Sequence, residues 1–265
     1  MEMIYALPIF GLLLLLEFLY GYYKKNNTYH DVKDTAASLS LGLAQVAVTV
    51  ALSSALLAVD YWFYVHRIFT FGNAWYNYVL LFLLMEFSFY WWHRASHRVR
   101  FLWANHVNHH SSTEYNFSTA LRQPLFSPVL RPLFYFYLPW LGFDPQMMIL
   151  VGVVSLIWGV LSHTKHVGKL GFLEYILVTP SAHRVHHGSN SEYIDKNYGG
   201  IFIFWDMLFG TYAPEKQPVV FGITTNINSY NPIRITFHEW QAWCKDVWQS
   251  RSLSEVFRTT FWPPH

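Results

Sequence analysis

The chain has 265 residues, of which 53% are hydrophobic, 20% aromatic and only 13% charged. Soluble domains carry about 25% charged residues, so this composition excludes an ordinary water-facing surface and points to a chain largely set in lipid. Eighteen Lys and Arg against 16 Asp and Glu leave no basic excess for nucleic acid, and the single Cys244 excludes an internal disulfide or a cysteine-built zinc or iron–sulfur site.

The first predicted element is an apolar run over 4–23, interrupted by Pro8 and Glu17. It has no basic n-region and no small-residue cleavage site, so it reads as an anchor. Residues 36–59 are free of charge over 24 positions, enough for a helix to cross about 30 Å of hydrocarbon. A third run, 75–92, contains Glu86 as its one charge; an acid at that depth is expected to face protein. Runs 125–143 and 147–161 are separated by Asp144 and Pro145. The first of them holds Arg131 and Pro132, so the pair is predicted as a hairpin that need not cross fully.

Basic residues set the orientation. Lys24, Lys25 and Lys33 follow the first run, Arg94, Arg98 and Arg100 follow the third, and Arg122, Lys165 and Lys169 flank the hairpin. The loop at 60–74 carries only Arg67. The predicted fold class is therefore all-α: a polytopic membrane helical bundle of about four spans, forming one domain over 1–265. A cytosolic cap is expected from 93–124 and 163–265.

Fourteen histidines are present, and eight fall in three clusters. His93 and His97 are four apart; His106, His109 and His110 form H-x-x-H-H; His183, His186 and His187 repeat it. Residues three or four apart share a helix face, so each cluster can aim several imidazoles at one point on the cytosolic side. Eight imidazoles exceed the coordination sphere of one ion and suit two. His163 and His166 lie at the same predicted depth and are further candidates. Imidazole alone does not choose among zinc, copper, iron and nickel. The H-E-x-x-H zinc-protease pattern is absent, because Ala242 stands where His238-Glu239 would need a second histidine. Asn108, Glu114, Asp195 and Asp206 are candidates for orienting the ligand rings. Asn116, Thr119 and Gln123 are candidates for lining a substrate channel.

The three boxes resemble those of the fatty acid hydroxylase/sterol desaturase superfamily, whose members are membrane di-iron oxygenases. The likeness runs from Glu86 to Tyr212 and includes the segment 205–211 after the third box. His163-Thr164 is similar to a segment that supplies a further ligand in some members. Within the superfamily, the runs 115–123, 183–188 and 194–198 resemble the alkylglycerol monooxygenase family.

That resemblance implies two iron ions, O2 as co-substrate, and hydroxylation of a membrane lipid. Cleavage of an ether lipid to a fatty aldehyde and a glycerol derivative would follow. It also implies an electron donor, tetrahydrobiopterin in that family. Two departures are expected to matter. The chain stops short of further C-terminal spans, and Arg98 stands where that family carries a glutamate tied to pterin use. A guanidinium only donates hydrogen bonds, so a small redox protein is the alternative donor, with Arg98 meeting it or a lipid phosphate. Sterol, fatty-acyl or aminolipid oxidation is the rival within the superfamily. A non-enzymatic membrane metal-binding protein is the rival outside it, though a transporter would place its ligands near the bilayer midplane.

Overall fold

A computed structural model describes residues 3–23 and 31–264, with side chains from residue 10 onward in the first helix. Lys24, Lys25, His30 and His265 lie outside the described residues. Twelve α-helices are formed among the described residues. No β-strand is formed among them, only isolated bridges such as Leu177 with Phe202. The all-α expectation is met.

The helix starts are written in the sequence. Asp31 caps α2 (Val32–Val65), accepting from the Lys33 and Asp34 N–H groups at 2.7 and 3.4 Å. Asp144-Pro145, Thr179-Pro180 and Asn231-Pro232 open α8 (Pro145–Leu161), α9 (Pro180–His186) and α11 (Pro232–Gln249). Each pairs a side-chain acceptor with a proline whose missing N–H costs nothing in the first turn.

Among the described residues α2 alone is long and apolar enough to cross a bilayer; its 34 residues extend about 51 Å at 1.5 Å each. The stretch 10–23 of α1 (Met3–Tyr23) and all of α8 are shorter apolar helices. The run 75–92 is helical, but α3 (Trp75–Arg98) continues through the first histidine box.

Run 125–143 is not one helix. It breaks into α6 (Ser127–Leu130), a 3-10 turn (Arg131–Phe134) and α7 (Tyr137–Leu141). Pro128, Pro132 and Pro139 remove donors from a continuous ladder. Together with α8 these turns enclose an apolar core, where Leu138, Phe143, Met147 and Val151 meet Leu81 and Met85 of α3. On α3 this core lies before the first histidine box.

Two glycines permit the close approaches that the site needs. On α2, a Cβ at Gly42 would lie 2.6 Å from the Leu121 carbonyl oxygen. At Gly200 it would lie 2.9 Å from Glu86 Oε2. Glu86 does face protein: it is 1% exposed and accepts from the Ile201 N–H and, at 3.0 Å, the Ser155 hydroxyl. A single buried carboxylate thus ties α3, α8 and the 198–202 loop together.

Gly42→Ala should lower the melting temperature of the purified protein, although alanine improves helix propensity by about 1 kcal/mol. The added methyl meets backbone, which cannot rotate away. Gly152→Ala, whose methyl would meet only the Met85 terminal carbon at 3.7 Å, should raise or preserve it. Thermal melts of the two variants side by side check that only Gly42→Ala lowers it.

Candidate metal centre

α3 and α4 (Arg100–His110) are separated by one extended residue, Val99, at φ −119° and ψ 114°. This elbow folds the first box back onto the second. The His97 and His110 ring centroids come within 4.6 Å. α9 then supplies the third box, and the His93 and His186 centroids lie 4.2 Å apart.

All eight box histidines and His163 are buried, and they sort into two sets. His93, His97, His106, His110 and His186 form one; His109, His163, His183 and His187 form the other. Within each set, ligand-type atoms lie within 4.8 Å of one another. The boxes do not map one to one onto the sets. The second box gives a four-apart pair to the first set and His109 to the second. The third box does the reverse, giving its four-apart pair to the second set and His186 to the first.

Ring orientation is fixed by backbone carbonyls. A carbonyl only accepts, so each contacting Nδ1 is the protonated nitrogen and leaves the Nε2 lone pair free. His93 donates to the Tyr198 carbonyl at 2.8 Å and His186 to that of Lys196 at 2.9 Å. His109 donates to the Arg122 carbonyl at 3.2 Å and His163 to that of Gly159 at 2.5 Å.

The Lys196 and Tyr198 carbonyls are aimed by a loop in which Asp195 and Asn197 adopt left-handed φ of 61° and 55°. Asn and Asp tolerate that region better than other non-glycine residues. Asn197 is locked by hydrogen bonds to the Ala182 and Ala213 carbonyls at 3.0 and 2.8 Å.

The Nε2 atoms of His97, His186 and His187 are buried and have no hydrogen-bond partner. The Nε2 atoms of His106 and His110 face each other at 3.2 Å, as do those of His163 and His183. Converging lone pairs without donors between them are what a cation-binding site requires, so the residues fit a metal in each set. Burial reinforces this by disfavouring protonation. It is the largest cause holding His106 down to about 3, and His163 and His186 down to about 4.

The other sequence candidates fall elsewhere. His166 joins neither set; its Nε2 lies 3.8 Å from Glu17 Oε1. Asp195 approaches His97 Nδ1 only to 4.0 Å and pairs with Arg98 at 2.7 Å. Arg98 is thus engaged within the chain, its side chain still half exposed. Asp206 acts at one remove: it accepts from the Tyr198 and Gly199 N–H groups at 2.7 and 2.8 Å, holding the peptide whose carbonyl orients His93.

Glu114 faces Lys165 at 3.7 Å, and Asn108 donates to the Gln123 carbonyl at 3.1 Å; neither reaches a ring nitrogen. Asn116 and Thr119, expected in a channel, instead form a capping box on α5 (Phe117–Ala120). Gln123 turns back to the Ala120 carbonyl at 2.6 Å.

Sequence reasoning missed Arg122, read only as an orienting charge. It is 1% exposed and bonds Asp34 of α2 at 3.1 Å and the Asn108 carbonyl at 3.0 Å. The same residue's carbonyl orients His109. It also missed Tyr115, whose ring stacks on His163 and whose hydroxyl donates to the Ser162 carbonyl at 3.0 Å.

The fatty acid hydroxylase family profile matches residues 78–211, half of the chain, and the chain belongs to that family. Over 98% of its length it is 36% identical to an alkylglycerol monooxygenase of Homo sapiens and 37% identical to one of Danio rerio. It spans 59% of the length of either relative. It is also 26% identical, over 77% of its length and 63% of the relative's, to ornithine lipid hydroxylase OlsE of Rhizobium tropici. No solved structure matches.

Two outcomes follow. Arg122→Met leaves Asp34 buried without its cation, held only by the Ser112 hydroxyl at 2.6 Å, which should cost about 3–5 kcal/mol. Adding Asp34→Asn should restore part of that, as a thermal double-mutant cycle can measure. The second concerns pH. His106, His163 and His186 titrate below their ordinary value of 6.5 when folded, so the unfolded chain binds more protons between about 6.5 and 3–4. Metal-free protein should therefore have a flat melting temperature above neutral pH and lose stability as pH falls from about 6.5 toward 4.

Proposed function

We propose that this chain is a membrane di-iron oxygenase that hydroxylates a lipid C–H bond, and that its substrate is an ether lipid of the alkylglycerol type. The observation that carries the reading is the pair of interleaved, buried imidazole sets with orphaned lone pairs. The relatives named alkylglycerol monooxygenase support the lipid class.

In this reading the nine clustered histidines are the ligands of two ions. An all-imidazole donor set without thiolate suits an oxygen-activating metal better than structural zinc. Bound iron would supply the oxidising power needed to break an unactivated C–H bond with O2. The balance is one C–H bond, O2, two electrons and two protons giving one alcohol and one water. If the hydroxylated carbon bears the ether oxygen, the product is a hemiacetal. It collapses by breaking its C–O bond, giving a fatty aldehyde and a free glycerol hydroxyl.

The protein's own part is positional. The Tyr198, Lys196, Arg122 and Gly159 carbonyls keep four rings in the ligating tautomer. Tyr115 covers His163 and His187, while Trp103 packs on His97, so the rings are shielded from water. The proposed topology is one membrane-embedded domain. Runs 4–23, 36–59 and 75–92 cross, 125–161 re-enters, and the histidines lie at the cytosolic face where a lipid can arrive from the bilayer. The proposed electron donor is a small redox protein rather than a pterin.

Purified protein should hold about two transition-metal ions, because nine imidazoles exceed one coordination sphere. In proteoliposomes supplied with alkylglycerol, O2 and a ferredoxin-type reducing system, one fatty aldehyde should form per ether lipid consumed. His186→Ala and His183→Ala should each abolish turnover while lowering metal content. Turnover of an ornithine lipid or sterol in place of the ether lipid would reassign the substrate. Absence of lipid-dependent O2 uptake with every lipid class would leave only a metal-binding protein. Equal turnover with tetrahydrobiopterin alone would restore the pterin as donor.

A further inference from the structure

The C-terminal helices carry a surface that the metal centre does not use. α12 (Leu253–Phe261) begins at a Ser252 cap, which accepts from the Glu255 N–H at 3.2 Å. Two of its faces are distinct. Val256 and Thr260 turn toward α11, where Trp243 Nε1 reaches the Thr260 hydroxyl at 3.4 Å. Leu253, Phe257 and Phe261 recur every fourth residue and form an apolar stripe that is left open among the described residues; they are 88%, 58% and 52% exposed. Trp248, at the end of α11, is 90% exposed, and Trp262 is 57% exposed.

Cations flank this stripe. Arg258 follows Phe257, about 100° around the helix, and Arg251 stands at the turn into α12. Neither is in a salt bridge among the described residues. Arg258 also borders a hollow of about 530 Å³ shared with Arg100 and Trp262. Glu255, the acidic residue of α12, is spent on the Arg251 N–H at 2.6 Å.

The location fits one occupant. α11 packs on α2 through Ile235, which is fully buried against Ala37 and Leu41. Those residues lie in the first turns of the helix that is long enough to cross a bilayer. Asp34, one turn earlier, is the residue bonded to Arg122. α11 therefore starts at the end of α2 nearest the histidines, and α12 packs farther along it beside the Arg100 end of α4; in the proposed topology this level is where hydrocarbon gives way to headgroups. An apolar stripe edged by unpaired guanidiniums, with tryptophans at its rim, matches that boundary.

The geometry points to α12 as an in-plane membrane anchor: its Leu253–Phe257–Phe261 stripe enters the acyl boundary of an anionic phospholipid bilayer while Arg251 and Arg258 meet lipid phosphates. The anchor is joined to the site. The Trp262 carbonyl accepts from the Arg100 N–H at 3.1 Å, at the elbow between the helices bearing the first two histidine boxes. The inference rests on the proposed membrane setting but not on the oxidation chemistry.

The test uses the full chain with Cys244→Ser, reconstituted in bilayer nanodiscs. Single cysteines at 253, 257, 261 and 255 carry a nitroxide, and collision with O2 and with a water-soluble nickel chelate reports depth. A label at position 50 of α2 serves as the lipid control. Labels at 253, 257 and 261 should be rich in O2 and poor in nickel, and the label at 255 the reverse. Raising the anionic lipid fraction should deepen the first three. Arg251→Gln with Arg258→Gln should remove that increment, and inorganic phosphate should not reproduce it. If position 50 is in lipid while 253, 257 and 261 match 255, the anchor is overturned and the membrane setting stands. If position 50 is also aqueous, the membrane setting itself fails. Shielding of the stripe from both reagents would assign it to a protein partner. Depth independent of anionic lipid would overturn the phosphate contact.

Discussion

The protein is organised around one costly act, the removal of nine imidazoles from water at a single place. A neutral imidazole has one N–H and one lone pair, and both lose their water on burial. Four of the rings regain a partner for the N–H from a backbone carbonyl, and none of those carbonyls belongs to a neighbouring box. They come from the segment after α5, the last turn of α8 and the 195–198 loop. The lone pairs turn inward and converge, and a cation is the partner that satisfies all of them together. The burial that keeps the rings neutral also makes the empty arrangement unfavourable.

The surrounding polar groups follow from this requirement. Loop carbonyls can orient histidines only if the loops are themselves immobile. Each is held by a buried charged group. Glu86 and Asp206 take the N–H groups of 198–202, and Arg122 links Asn108 to Asp34. Arg184 clasps the Thr164 and Val167 carbonyls at 3.0 and 2.7 Å while paired with Glu215. The result is a shell of ionisable side chains whose partners are mostly backbone. It explains how long irregular segments can enclose the site without strand pairing.

The histidine boxes were legible because three- and four-residue spacings have one geometric meaning on a helix. Their division into two sets was not. It depends on how α3, α4 and α9 dock, and spacing says nothing about docking. Depth made both His163 and His166 candidates and the family resemblance favoured His163, but only the structure shows His166 turned away, beside Glu17 and Tyr20. Run 125–143 was read as one arm of a hairpin weakened by Arg131 and Pro132; that Pro128, Pro132 and Pro139 together divide it into short separate turns was not read from its apolar content. Asn116 and Thr119 look like polar groups in want of a role, yet they cap a helix of four residues. Such short helices leave almost no periodic trace. Arg122 and Asp34 are 88 residues apart, so their pairing has no local signature.

The crossed assignment of the second and third boxes has a consequence for how the sequence can vary. On α4, His106 and His110 serve one set and His109 the other, so both ions would read the same helical register. Replacing one imidazole removes a single donor. Inserting or deleting one residue between 106 and 109 instead turns everything beyond it by about 100°, and both sets lose their donors at once. The same holds between 183 and 186 on α9. Across these five-residue windows the chain tolerates no change in length, whereas the loops that join them are bound only by where their carbonyls must arrive.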